Sequence, residues 1–224
     1  MSGLFLLLAS LFVTLLVASN IIAVKVTAVA GLVLPAAIAV FPVTYILGDV
    51  LTEVYGFRVA RRVIWLGFVC NLVAVAAFWV GGLLPAFAEW KDQGAYEAIL
   101  GRTPRILLAS FLGYLAGELS NSQVLARLKV LTRGRWLWSR TISSTIVGQG
   151  FDSALFITVA FAGTVVAQTG GDVLRLVVTQ WGVKVAYEAL MTPVLYPVVA
   201  YVKRREGVDT YDRDISFNPL RAFR

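Results

Sequence analysis

The sequence contains no histidine and a single cysteine, Cys70, and only 15% of its 224 residues are charged. Each scarcity removes a class of function. Without imidazole the usual zinc sites and histidine proton relays are excluded. One cysteine, placed inside an apolar run, leaves no disulfide framework within the chain. No Gly-x-x-x-x-Gly-Lys-Ser/Thr stretch occurs, so the chain does not hydrolyse ATP through a P-loop. No metal and no cofactor are expected.

What the chain has is apolar surface. It is 58% hydrophobic, with a mean hydropathy of +0.78. Such a chain cannot cover its own apolar area in water, and its partner is a lipid bilayer. The formal charge of +7 would suit nucleic acid if it were gathered on one face. Instead the basic residues form short clusters between apolar stretches, the pattern of cytoplasmic loops, and no nucleic acid partner is expected.

Six apolar runs follow one another at residues 4–24, 32–54, 63–84, 105–126, 141–167 and 174–202. Each is long enough at about 1.5 Å per residue to cross a hydrocarbon layer about 30 Å thick. The first has no basic residue before Lys25 and a poor cleavage site at 16–19, so it reads as a retained helix. Basic clusters follow the second run (Arg58, Arg61, Arg62), the fourth (Arg127, Lys129, Arg133, Arg135) and the sixth (Lys203, Arg204, Arg205). Every second loop is therefore cytoplasmic, and both termini share that side. The expected fold class is an all-α membrane protein, a bundle of six transmembrane helices at 1–202 with a polar cytoplasmic tail at 203–224. Ser19-Asn20 against Ser120-Asn121, and Asp49 against Asp152, hint that two halves of three helices form an inverted 3+3 repeat. Gly113 and Gly117 have the spacing of close helix packing, within one bundle or in a homodimer.

The informative residues are those that lipid penalises. A charge at a helix centre costs about 2.5–3.5 kcal/mol on insertion scales, so it faces a partner or a ligand. The second run carries Tyr45, Asp49 and Glu53 on one helical face, and the fourth carries Glu118 and Asn121. The fifth carries Gln149 and Asp152; the sixth carries Gln180, Lys184 and Glu188. Asn20 and Asn71 add amides from the first and third runs. Two structural readings compete. Lys184 and Glu188, four apart, would neutralise each other within one helix, and Glu53 would pair with Arg58, Arg61 or Arg62. Neither covers Asp49, Glu118 and Asp152, three acids against one comparably deep lysine. That excess describes a binding site or a translocation path for a planar, hydrogen-bond-rich or cationic small molecule. Tyr45, Tyr114, Phe151, Phe156, Trp181 and Tyr187 lie near enough in sequence to stack on such a ring.

These residues carry a resemblance. The stretch 41–45 (Phe-Pro-Val-Thr-Tyr), Asp49, Glu53-Val54-Tyr55-Gly56, Gly117-Glu118 with Asn121, Ser143-Ser144 with Gln149, Asp152-Ser153 and Phe156, and Lys184 with Glu188, Thr192-Pro193 and Tyr196 occur in order along nearly the whole chain. Together with Asn20 and Lys25 they resemble the bacterial queuosine precursor transporters, also called the vitamin-uptake-like transporter family. The resemblance implies an inner-membrane importer of a 7-deazaguanine bearing a 7-cyano or 7-aminomethyl group, with Asp49, Glu118, Asn121, Gln149, Asp152, Asn20, Tyr45, Lys184 and Glu188 around the substrate.

Two alternatives stay open at this level. One is a substrate-binding membrane subunit that needs separate energising partners. The other is an intramembrane aspartyl enzyme, for which Gly48-Asp49 and the 148–152 stretch (Gly-Gln-Gly-Phe-Asp) are a faint signal, with one residue too many before the second aspartate. The expectation is a protein that is not an enzyme.

Overall fold

Helices form wherever apolar residues run without a breaker, and their ends follow local chemistry. A computed structural model of the chain describes residues 2–29, 32–101, 104–164, 167–213 and 217–218. Helix α1 spans Gly3–Ile22 and is capped by Ser2, whose hydroxyl accepts the Phe5 N–H at 3.1 Å. An antiparallel hairpin of β1 (Val26–Val29) and β2 (Leu32–Pro35) follows, with Val26 opposite Pro35. One 3-10 turn at Ala36–Ala39 leads into α2, Phe41–Tyr55. The chain breaks at Gly56, whose φ of +83° suits glycine, and restarts as α3, Phe57–Leu83. A short α4 (Gln93–Leu100) crosses the polar connection, and α5 (Pro104–Leu131) and α6 (Leu137–Phe161) form a helical hairpin. The last helix, α7, covers Gly170–Glu206 and opens on a capping box between Thr169 and Asp172.

Four of these helices, α1, α3, α6 and α7, are long and apolar enough to cross a membrane. The helical class expected from sequence holds, and one of the six runs needs correction. The run at 32–54 is not one span. Its first part is strand and 3-10 turn, and α2 has 15 residues, about 22 Å. Pro42 sits in the first turn of α2, where its missing N–H is harmless, whereas within a longer helix it would remove a hydrogen bond and clash with the preceding turn. Helix α5 has ample length at 28 residues but carries a polar inner face that lowers its hydropathy. The 3+3 repeat is not established by this arrangement.

Side chains divide as a lipid solvent requires. Phe12 and Leu16 of α1, Val50, Leu51 and Val54 of α2, Ile64 of α3 and Leu195 and Val199 of α7 pack into one apolar core. Leu66, Val69, Trp79, Leu174, Val178 and Leu190 point outward from their helices. In water that outer surface would be a large aggregation liability, whereas hydrocarbon solvates it.

The start of α1 and the end of α7 lie at the same end of the bundle. Ser2 Oγ donates to Glu206 Oε2 at 2.5 Å, tying the start of α1 to the end of α7. The basic α2–α3 corner and the basic α5–α6 turn share this end, because Glu53 of α2 is bonded to Arg140 of α6 and Lys203 of α7. Beyond α7 the chain folds back as a strap rather than extending into solvent. Thr210 donates its N–H to Val54 O at 3.0 Å, and Asp212 Oδ2 accepts the Phe57 N–H at 2.7 Å. Asp212 thereby supplies an acceptor at the N-terminus of α3, where Phe57 is fully buried. Burial pushes its carboxyl above the usual range, against the Phe57 N–H. Asp209 behaves oppositely. Its partial burial is outweighed by Lys129 and Lys203, which hold it below the usual range. A depressed carboxyl contributes at neutral pH and loses that contribution as acid protonates it, so the Asp209 link is weakest below its ordinary titration range. Replacing Asp212 by Ala strands the Phe57 N–H at a cost of about 1–3 kcal/mol. The expected result is faster proteolytic cleavage within 207–213; an unchanged cleavage rate would show that the strap is held without it.

Candidate functional site

The polar residues of α2, α5 and α6 follow one rule. On α2, Thr44, Tyr45, Asp49, Thr52 and Glu53 are all buried, and Gly48 lies among them at the same four-residue step. On α5 the corresponding pairs are Gly113-Tyr114, Gly117-Glu118 and Asn121-Ser122. On α6 they are Arg140-Thr141, Ser144-Thr145, Gly148-Gln149 and Asp152-Ser153. A step of four keeps these residues on one ridge of each helix, and ridges of this kind interdigitate when helices pack. The outer side of α6, with Ile146, Val147 and Phe151, is exposed and apolar. These helices are inside-out relative to soluble ones, with polar ridges turned toward each other.

Glycine lets the ridges touch. A Cβ on Gly148 would lie 2.7 Å from Asn121 Cβ and 2.8 Å from Gly117 O. One on Gly117 would lie 2.8 Å from Asp152 Cβ and 3.4 Å from the Tyr45 hydroxyl. Gly113 and Gly117 therefore serve contact within the chain, against α6. On α2, Gly48 opens room for Glu118, whose Oε2 would be 3.2 Å from an added Cβ.

This packing brings together eight of the nine residues expected at the site. Asn121 Nδ2 donates to Asp49 Oδ1 at 2.7 Å, with both side chains fully buried. Lys184 of α7 forms an ion pair with Asp152 of α6. The charges of Glu118, Asp152, Glu188 and Asp49 all act on the Tyr45 hydroxyl, and Glu188 and Glu118 act on Asp49. Gln149 is buried next to Gly148. Asn20 is elsewhere. It lines a cleft between α1, α3, α4 and α5, with Asn71, Phe78, Leu100, Ser110 and Phe111.

The structure extends one structural reading of the charges and replaces the other. Lys184 reaches across to Asp152 instead of serving only Glu188 one turn along its own helix. Glu53 pairs not with the arginines that follow it but with Arg140, by two contacts at 2.5 and 3.2 Å, with Lys203 at 2.8 Å and with Lys129 at 3.6 Å. The reason is direction. Arg58 is exposed at the start of α3 and Arg61 donates to Asn218 O, while α5, α6 and α7 bring their cations to the end of α2. Arg140 and Lys129 are each 1% exposed, and sequence reasoning missed both as buried partners. The available signal was Arg140 in register with the polar ridge of α6. Among the aromatics, Tyr45 borders the cluster, whereas Tyr114 donates to Ile64 O at 2.9 Å and Phe151 faces outward.

Five buried acceptors in the cluster find no donor among the described residues: Asp49 Oδ2, Glu118 Oε2, Asn121 Oδ1, Gln149 Oε1 and Glu188 Oε1. Buried acceptors normally have partners, and leaving each bare costs about 1–3 kcal/mol. A site of bare acceptors is chemically suited to a ligand rich in N–H donors.

Comparison with known proteins agrees with a transport role. Residues 35–198 match the sequence profile of a family described as putative vitamin uptake transporters. A Bacillus subtilis protein named probable queuosine precursor transporter is 31% identical over 183 residues, covering 80% of this chain and 78% of its own. The Escherichia coli queuosine precursor transporter is 29% identical over 54% of this chain and 52% of its own. A Haemophilus influenzae protein named probable queuosine precursor transporter is 32% identical over 54% of this chain and 49% of its own. No solved structure matches. With most of its length matched by the family profile and by the Bacillus relative, this multi-pass membrane chain belongs to the vitamin-uptake-like, or queuosine precursor, transporter family.

Proposed function

We propose that this chain imports a queuosine precursor, 7-cyano- or 7-aminomethyl-7-deazaguanine, across a bacterial inner membrane, with both termini and the segment 203–224 on the cytoplasmic side. The observation that carries this reading is the set of five bare acceptors on Asp49, Glu118, Asn121, Gln149 and Glu188. A deazaguanine ring presents N–H beside NH₂ on one edge, and a carboxylate accepts such an edge bidentately, as it does guanidinium. Tyr45, buried on the same face of α2 as Asp49 with its hydroxyl near Gly117, adds an aromatic ring to the cluster. The orientation rests on the basic end of the bundle, where Arg58, Arg62, Arg133 and Arg135 accompany the start of α1 and the end of α7.

Counterflow of labelled precursor into liposomes containing only the purified protein tests the import reading. Uptake is expected, and its absence would favour a binding subunit that depends on other proteins. At the site, Asp49→Ala and Glu118→Ala should each weaken precursor binding roughly 100-fold, since hydrogen bonds to a charged group are worth about 1.5–3 kcal/mol. Both variants should still insert. Unchanged affinity in both would refute this assignment of the site.

A further inference from the structure

The polar side chains of the cluster are not equally buried. Asp49, Glu118, Asn121 and Gln149 are at most 2% exposed, whereas the Asp152 and Lys184 side chains keep 13% and 11% exposure. Their ion pair is the accessible edge of the polar cluster. Asp152 has little freedom there, because its Cβ rests against Gly117 and its Oδ1 against Gly113. Lys184 thus meets a carboxylate whose position the backbone of α5 sets.

We infer that Lys184 sets the substrate preference of this site, holding Asp152 against a ligand that carries its own ammonium and favouring the same ring with an uncharged arm. The inference rests on the import reading above and deepens it. A primary ammonium on a methylene arm is chemically what Lys184 already presents to Asp152, so at that carboxylate an aminomethyl arm would displace a tethered group or sit beside a like charge. Like charges brought close in a poorly screened place are strongly disfavoured. A nitrile arm has neither problem. It leaves the Lys184–Asp152 pair intact and can accept a hydrogen bond from one of the three N–H groups of Lys184.

The test is competition by the 7-cyano and 7-aminomethyl compounds against labelled 7-cyano-7-deazaguanine on the purified full chain. Wild-type protein should bind the cyano compound roughly tenfold or more tightly than the aminomethyl compound. Lys184→Met should move that ratio toward the aminomethyl compound by roughly tenfold or more, while Lys184→Arg, which keeps the charge, should retain the wild-type preference. A ratio between two ligands is not moved by a general loosening of the fold. An unchanged ratio in Lys184→Met, with cyano binding intact, would overturn the inference and leave the import reading standing. A wild-type preference for the aminomethyl compound would overturn it without any variant, so the result does not depend on Lys184→Met folding. Failure of both compounds to bind wild-type protein would remove the import reading and this inference together.

Discussion

Glu53→Ala should destabilise the protein by about 3–5 kcal/mol, because it removes the anion and leaves its cations in place. Glu53 is 1% exposed and takes Arg140 at 2.5 and 3.2 Å, Lys203 at 2.8 Å and Lys129 at 3.6 Å. Asp209 bonds Lys129 at 2.5 Å and Lys203 at 2.8 Å, so those two keep one anion, but Arg140 is left with carbonyl acceptors alone. A buried guanidinium so stranded is costly, whereas the intact pair adds modestly against an apolar substitute. The variant should therefore melt well below wild type in detergent. Glu53→Gln keeps shape and an acceptor but not charge, and it should lose most of the same stability. Removing Arg140 as well should recover part of the loss, since the double variant buries fewer unpaired charges. A melting temperature of Glu53→Ala within a degree or so of wild type would show that the network contributes little.

The second large effect is expected at Gly148. Its missing side chain lets α6 touch α5, and the first atom added meets Asn121 Cβ at 2.7 Å and Gly117 O at 2.8 Å. One of those is backbone and cannot rotate away. Gly148→Ala should cost about 1–3 kcal/mol, the range of an overpacked core, and Gly148→Leu more. The displacement also pushes Asn121 from Asp49, to which it donates at 2.7 Å. Precursor affinity in Gly148→Ala should therefore fall in step with stability. A stable Gly148→Ala protein with wild-type affinity would mean that the two helices have slack between them. Gly150, on the same helix, makes the control: an added Cβ would meet only Trp181 Nε1 at 3.7 Å, ordinary contact distance.

These two residues differ in how visible they were beforehand. The Gly113-x-x-x-Gly117 spacing announced close packing, yet its partner could have been another copy of the chain. Only the path of α6 back along α5 decides that the contact is internal. Glu53 stood near three arginines in sequence, and proximity suggested the wrong cations. Pairing of charges depends on which helices converge, which the spacing along one helix does not encode. The run at 32–54 illustrates a different limit. A short apolar stretch reads equally as strand or helix, and Pro35 and Pro42 inside it mark where regular helix is interrupted. Asn20 is polar at membrane depth as the carboxylates are, yet it lines a cleft with Asn71, and polarity alone does not tell which helices converge on it.

Transmembrane character and the clustering of basic residues in alternate loops were determined by the sequence alone. So was the identity of the costly residues Asp49, Glu118, Asp152 and Lys184, and the reason is energetic. Transfer to hydrocarbon penalises each exposed charge and rewards each apolar side chain individually, so these features add up residue by residue. The tertiary structure decided which acid meets which cation: Asp49 with Asn121, Asp152 with Lys184, Glu53 with Arg140. It also decided that the segment beyond α7 straps the α2–α3 corner. Those outcomes depend on distances between separate helices, fixed by where glycines let backbones approach, and a pattern read along one chain direction holds no such distance.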